Sequence, residues 1–350
     1  MLWVDKHRPT TLDKLDYHPE ITTQLKTLAT NGNIPHMLFY GPSGAGKKTR
    51  IMCLLRAIFG AGVNKIKMEH RTFKTPTNQT VEICMMGSNY HLELNPADCG
   101  NKDCFVVQEV IKEIAQFRSL DAGQKKFKVV VLSEVDRLSK QAQAALRRTM
   151  EKYTANCRLI LCCERLSKVI DPVRSRCLCV RVGLPQHDAI SGILANVCKK
   201  EGLKLPDAFG KRVSEASGRN LRRAILMLEA CRVQNYPFQD NQEIQVTDWE
   251  DYIKGMAADI IKEQSPQRLL RVRGKLYELL SNCIPADTII KTLTTELLKK
   301  CDENLKIQVC HWAAYYEHRL QSGQKAIYHL EAYIAKFMQI YKQYLVNIFG

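Results

Sequence analysis

The run Gly41-Pro42-Ser43-Gly44-Ala45-Gly46-Lys47 is the part of this sequence best suited to hold a phosphate chain. It follows a short apolar run, His36-Met37-Leu38-Phe39-Tyr40, and precedes Ile51, Leu54, Leu55 and Ile58, spaced at helical steps. Strand, glycine-rich turn and helix form the context such a loop needs. The glycines let backbone N–H groups turn toward phosphate oxygens, the helix N-terminus adds partial positive charge, and Lys47 reaches the terminal phosphates. The next position in such loops is Ser or Thr, whose hydroxyl ligates Mg²⁺. Here it is Lys48. Thr49 follows, but one residue along a helix turns a side chain by about 100°. The loop therefore predicts nucleotide binding at a site that lacks its usual metal ligand.

A second chemical motif is Val129-Val130-Val131-Leu132-Ser133-Glu134-Val135-Asp136, an apolar strand ending in acids. Behind a phosphate loop, this place normally carries an aspartate that helps to hold Mg²⁺ and a glutamate that activates water. Glu134 is retained as the candidate base; Ser133 stands where the metal-holding carboxylate belongs. Two arginine clusters come later: Arg174-Ser175-Arg176-Cys177, and Gly218-Arg219-Asn220-Leu221-Arg222-Arg223. Arginines usually sit on solvated faces, and these clusters gain meaning only from their order behind the two earlier motifs.

The elements that must position these groups are strands at 36–40, Val129–Leu132, Arg158–Cys163 and Leu178–Val182, with helical stretches such as Ala142–Tyr153 between them. Strands alternating with helices imply an α/β fold with a mainly parallel sheet covered on both faces. After Gly183-Leu184-Pro185 the strand signals stop. Residues 186–240 read as several helices, the clearest from Leu221 to Val233, and Tyr236-Pro237-Phe238-Gln239-Asp240-Asn241 reads as a turn-rich linker. Beyond it an all-helical region carries one apolar face at Leu269, Val272, Leu276, Leu279 and Leu280. The last helix repeats the device with Leu330, Tyr333, Ile334, Phe337, Tyr341 and Leu345. The expected division is 1–183, 184–240 and 247–350, without internal repeats.

At 350 residues the chain suits two or three domains. Its composition, 45% hydrophobic and 25% charged, is that of an ordinary globular protein. Neither a membrane-spanning run nor the layout of a secretory signal is visible, so an intracellular protein with no membrane partner is expected. The 14 cysteines sit largely in apolar runs, where free cysteine behaves as a small buried hydrophobe. Cys84, His91, Cys99 and Cys104 invite a zinc reading, but their spacing matches no paired C-x-x-C module, and no metal is expected there. The net charge of +16 is uneven: residues 1–183 carry 29 Lys and Arg against 17 Asp and Glu, the remainder 23 against 19. A basic N-terminal part suits a polyanion such as nucleic acid.

In this order the motifs resemble the small subunits of replication factor C, over essentially the whole chain. Trp3-Val4-Asp5-Lys6-His7-Arg8-Pro9 resembles that family's N-terminal box; Gly41–Lys47 and Ser133–Asp136 its two Walker motifs. Leu146-Arg147-Arg148-Thr149-Met150-Glu151-Lys152-Tyr153 is similar to its central helix box, Ser175-Arg176-Cys177 to its arginine-finger motif, and Asn220-Leu221-Arg222 to its second-domain sensor. The degenerate Gly-Lys-Lys-Thr and Ser-Glu-Val-Asp pair resembles the family's end subunit.

The resemblance implies an AAA+ P-loop module, a helical lid and an all-α collar for oligomerisation. It implies a hetero-pentamer with four other loader subunits, a sliding clamp and primer–template DNA as partners, and work in the nucleus. Val4, Arg8 and Pro9 would lie along the adenine of ATP or ADP, Arg222 would sense the nucleotide, and Arg176 would serve a neighbour's site in trans. Lys112 and Arg118 would approach the duplex phosphates, following backbone shape rather than base sequence. The strand Leu159–Cys163 should end in a polar sensor, commonly Asn; Glu164 stands there instead, and its carboxylate repels a triphosphate. With Lys48, Ser133 and Glu164 all altered, the expectation is a subunit that binds nucleotide and hydrolyses it poorly or not at all. Two rivals stand beside it: a purely structural collar subunit with a vestigial site, and a DNA-branch-migrating AAA+ motor, which would need a winged helix after the lid.

Overall fold

The computed structural model describes residues 1–350 apart from 75–79, 117–126, 155 and 350. It forms two compact units, Met1–Ile244 and Gln245–Gly350.

The first unit opens with α1 (Trp3–Lys6) and α2 (Pro19–Asn31), then β1 (Met37–Tyr40) and α3 (Lys47–Phe59). Three strands follow, β2 (Lys67–Lys74), β3 (Thr80–Gly87) and β4 (His91–Leu94), and then α4 (Asp103–Gln116). The module continues through β5 (Lys128–Leu132), α5 (Lys140–Tyr153), β6 (Cys157–Cys163), α6 (Asp171–Arg174) and β7 (Leu178–Arg181). Among the described residues these strands make one sheet in the order β2-β3-β4-β5-β6-β1-β7. From β4 to β7 it is parallel throughout, with β1 between β6 and β7; β2 and β3 add an antiparallel hairpin at one edge. The phosphate loop, Ser133 and Glu164 therefore all emerge at the carboxyl ends of neighbouring parallel strands, where open α/β sheets bind ligands.

Strand alternation sends successive side chains to opposite faces. Leu38, Val130, Leu132, Leu159 and Leu161 pack with Leu146 and Met150 of α5 and Val106 and Val107 of α4. Met37, Phe39, Val129, Val131 and Ile160 pack with Leu25 of α2 and Ile51, Leu54 and Leu55 of α3. The parallel, two-faced sheet is thus as expected. In the β2–β3 hairpin, β2 is charged and largely exposed, with Lys67, Glu69, His70 and Arg71, whereas β3 alternates and buries Ile83 and Met85 in the first of these cores; both strands are absent from the sequence reading.

Three helices complete the unit: α7 (His187–Lys200), α8 (Asp207–Ala216) and α9 (Leu221–Gln234). Their core joins Ile190, Leu194, Phe209, Val213 and Leu228 with two residues from outside the helices, Trp3 and Phe238. The segment 236–241 is turn-rich and joins α9 to the helix that begins at Asp248, as read, but it is not a free linker. Phe238 is 7% exposed and stacks on Phe209 at a centroid distance of 5.6 Å, so the segment is anchored in this core.

The second unit is α10 (Asp248–Lys262), α11 (Pro266–Ser281), α12 (Ala286–Leu298), α13 (Glu303–Ser322) and α14 (Ala326–Phe349). Its core holds Val272, Leu276 and Leu279 of α11 and Leu330, Tyr333, Ile334 and Phe337 of α14. Tyr333 meets Thr294 through a buried hydroxyl–hydroxyl hydrogen bond of 2.8 Å. No described residue of this unit lies in a strand, and no described helix of the chain is long and apolar enough to cross a membrane.

Candidate nucleotide site

The loop between β1 and α3 is held by its surroundings. The Tyr17 hydroxyl donates to the Ala45 carbonyl at 2.9 Å. Gly44 adopts φ 73°, and a Cβ there would overlap the side-chain amide of Asn220, which caps the N-terminus of α9 by accepting from the Arg223 N–H. The helical lid thus reaches the tip of the loop. Lys47 folds its ammonium back across the loop mouth, donating to the carbonyls of Gly41 (2.6 Å) and Pro42 (2.9 Å). Pro42 and Ser43 remain exposed at the rim.

Lys48 makes an ion pair with Glu93 of β4, a carboxylate whose residue is only 6% exposed. Thr49 turns away from the loop mouth: its hydroxyl accepts from Arg8 Nε at 3.1 Å. The Ser133 N–H donates to the Leu94 carbonyl at 3.1 Å, which sets Ser133 beside the end of β4. Glu134 sits in the left-handed region at φ 52°, with its carboxylate 3.0 Å from Arg137. Asp136 accepts from the backbone N–H groups of Glu164 (3.3 Å) and Arg165 (3.1 Å), so it positions the turn after β6. Glu164 itself is exposed. The charges of Lys47, Asp136, Glu93 and Glu164 all act on Cys162, whose thiol burial pushes up to about 11.

The Mg²⁺ that such loops normally hold does not fit these residues. An ammonium occupies the position of the hydroxyl ligand and a serine that of the carboxylate.

The N-terminal box joins the loop to the lid. Arg8 holds Thr49 of α3, the Pro9 carbonyl accepts a long hydrogen bond from Cys53 Sγ (3.4 Å), and Val4 is half-buried in α1. At the other end Trp3 is 3% exposed, its backbone N–H donates to Glu229 at 3.0 Å, and Arg232 lies 5.2 Å over its ring. Lys6 (2.7 Å) and His7 (2.5 Å) both meet Glu201, the residue after α7, and their hydrogen bonds hold its carboxyl below the usual range. Arg222 is exposed in the first turn of α9, two residues from Asn220.

Arg176 lies away from this loop. Its Nε and Nη2 are 2.8 and 2.7 Å from one oxygen of Glu151 in α5, and Nη1 donates to the Pro172 carbonyl at 2.8 Å. Arg147 approaches the same Glu151 oxygen at 3.6 Å. Lys112 is exposed on α4, 3.6 Å from Glu109, and Arg118 falls outside the described residues. Of the zinc candidates, Cys99 and Cys104 pack against a sheet-face core, and His91 is buried with Nδ1 2.7 Å from the Ser88 hydroxyl. Cys84 is exposed.

Three neighbours of the candidate residues were not read as their partners from the sequence. Glu93 and Glu151 become partners only through the sheet and α5. Arg50 is wholly buried, donates to the Tyr17 carbonyl (2.6 Å) and Thr22 (3.1 Å), and lies 4.7 Å over the Tyr17 ring. An arginine within a helix gives no local sign that it will brace the residue touching the loop; the step of three from Lys47 is the only hint.

Comparison with known proteins covers the whole chain. Residues 249–345 match the family described as replication factor C subunit 3, C-terminal domain, and 192–233 that of the RCF1/5-like AAA+ ATPase lid domain. Residues 17–185 match the family of the DNA polymerase III delta subunit. Replication factor C subunit 3 of Mus musculus is 58% identical over 98% of this chain and 97% of its own length. Replication factor C subunit 5 of Oryza sativa is 56% identical over the full length of both chains. Among solved structures, the Thermotoga maritima RuvB Holliday junction branch migration motor superposes with a TM-score of 0.54 at 17% identity, covering 84% of this chain and 91% of that one. At that identity the likeness concerns the fold alone.

Proposed function

This chain belongs to the replication factor C subunit 3/5 family, and from that premise we propose that it is a subunit of the DNA sliding-clamp loader that binds nucleotide and hydrolyses it poorly or not at all. Its fold is an AAA+ α/β module with a helical lid, followed by a separate helical unit. In this reading residues 1–183 bind ATP or ADP, 184–240 close over it, and 247–350 pack with the corresponding parts of four other subunits in the nucleus. The assembly acts on the sliding clamp and primer–template DNA, whose phosphates exposed cations such as Lys112 approach. Turnover belongs to the complex, and Arg176 contributes to a neighbour's site.

The observation that carries this reading is the pairing of an intact phosphate loop with Lys48 held on Glu93, where a hydrolysing site keeps a metal-binding hydroxyl. A branch-migration motor is not favoured, because every described element after the lid is a helix. The test is mass spectrometry of nucleotide released from the purified chain. One equivalent of ADP or ATP is expected. A chain that purifies empty and takes up neither nucleotide would be a structural collar subunit with a vestigial site.

A further inference from the structure

We infer that Lys48, held by Glu93, takes the place of the metal ion, so that this site binds nucleoside di- or triphosphate without Mg²⁺. The inference rests on the nucleotide-binding reading above and specifies how that binding is achieved.

Glu93 lies near the carboxyl end of β4, one residue before Leu94, whose carbonyl accepts the Ser133 N–H. Glu93 pairs with Val131, two residues before the position from which the metal-holding acid is missing, on the adjacent strand. A carboxylate buried beside a phosphate site is costly unless a cation neutralises it. In a metal-bearing loop the divalent ion supplies that charge. Here Lys48 does, and its own side chain is 41% exposed while that of Glu93 is 7% exposed. The buried acid is thus joined to a partly exposed lysine in the first turn of α3, the helix that follows the phosphate loop.

The charge balance points the same way. Lysine in place of a neutral hydroxyl adds one positive charge, and serine in place of an aspartate removes one negative charge. The two exchanges together match the charge of Mg²⁺. A divalent ion entering this site would meet an ammonium and too few ligands, so its binding is opposed by the same residues that replace it.

Calorimetric titration of the full chain with ADP, after co-purified nucleotide has been stripped from it, tests this, with Mg²⁺ present and with chelator. The wild-type affinities should agree within about threefold, whereas a loss of about tenfold or more in chelator overturns the inference. Lys48→Thr, which restores the hydroxyl and leaves Glu93 uncompensated, should weaken metal-free binding by about tenfold or more and make it respond to Mg²⁺. Unchanged metal-free binding in that variant also overturns it. The double variant Lys48→Thr/Glu93→Gln separates direct action on the phosphates from mere cancellation of Glu93. It should remain weak without metal; recovery to the wild-type affinity would show that Lys48 only neutralises the acid. The wild-type comparison needs no variant to fold. Absence of binding in both conditions contradicts the functional reading and this inference with it, while Mg²⁺-dependent binding contradicts this inference alone.

Discussion

Lys48, Ser133 and Glu164 stand at three positions that handle metal and terminal phosphate in a hydrolysing loop. Each change acts on a different part of the chemistry. In the proposed reading the first two remove metal ligands, and the exposed Glu164 carboxylate opposes a terminal phosphate. Glu134 could still accept a proton, but its carboxylate is paired with Arg137 at 3.0 Å. The isolated chain should therefore show negligible ATP hydrolysis, with or without DNA and clamp. Release of phosphate at a rate comparable to that of an intact loader subunit, and abolished by Lys47→Ala, would refute this. The motif residues were legible because Gly41–Lys47 and Ser133–Asp136 are local runs whose chemistry follows from spacing. Glu93, Glu151 and Arg50 were not, since their partners are brought by strands and helices distant in sequence.

Among the elements, α1 does more than its four residues suggest. Trp3 fills the lid core while Arg8, five residues later, holds Thr49 at the start of α3. Removing a buried tryptophan side chain typically costs about 3–5 kcal/mol, and Trp3→Ala should lower the unfolding midpoint and loosen the lid. Equal denaturant midpoints for the variant and the parent would contradict that role. His36 gives a pH prediction. It is 8% exposed, its Nδ1 accepts from the Leu159 N–H at 3.0 Å, and burial, with the nearby Arg158 charge, holds its pKa below the ordinary 6.5. Because the folded-state pKa is depressed, the unfolded chain takes up the proton first. The stability due to neutral His36 is complete above about pH 6.5 and is lost as pH falls through the folded value. Unfolding midpoints should drop between pH 7.5 and 5.5, and by less in His36→Asn, which keeps an acceptor that does not titrate; equal slopes would contradict this. At this scale the parallel strands and α5 could be read from periodicity. The β2 strand could not, because its charged edge lacks a repeating apolar face; the short alternation that buries Ile83 and Met85 of β3 was missed, and Phe238 was hidden by the turn-forming residues around it.

For the whole molecule, we propose a division of labour: this chain holds nucleotide, and its arginine serves the subunit beside it. The Glu151 carboxylate and the Pro172 carbonyl hold the Arg176 guanidinium by three nitrogens. The planar fork is thereby fixed at the end of α6, while the side chain remains 32% exposed. Lysine would retain the charge without the fork, so Arg176→Lys should rescue little. The most direct measurement is DNA-stimulated ATP hydrolysis by a reconstituted five-subunit loader carrying Arg176→Ala. Assembly and nucleotide binding by this subunit should stay nearly intact, while hydrolysis at the adjoining site falls by on the order of 10³-fold or more. A variant complex that assembles normally and hydrolyses ATP at the unmutated rate would contradict the account.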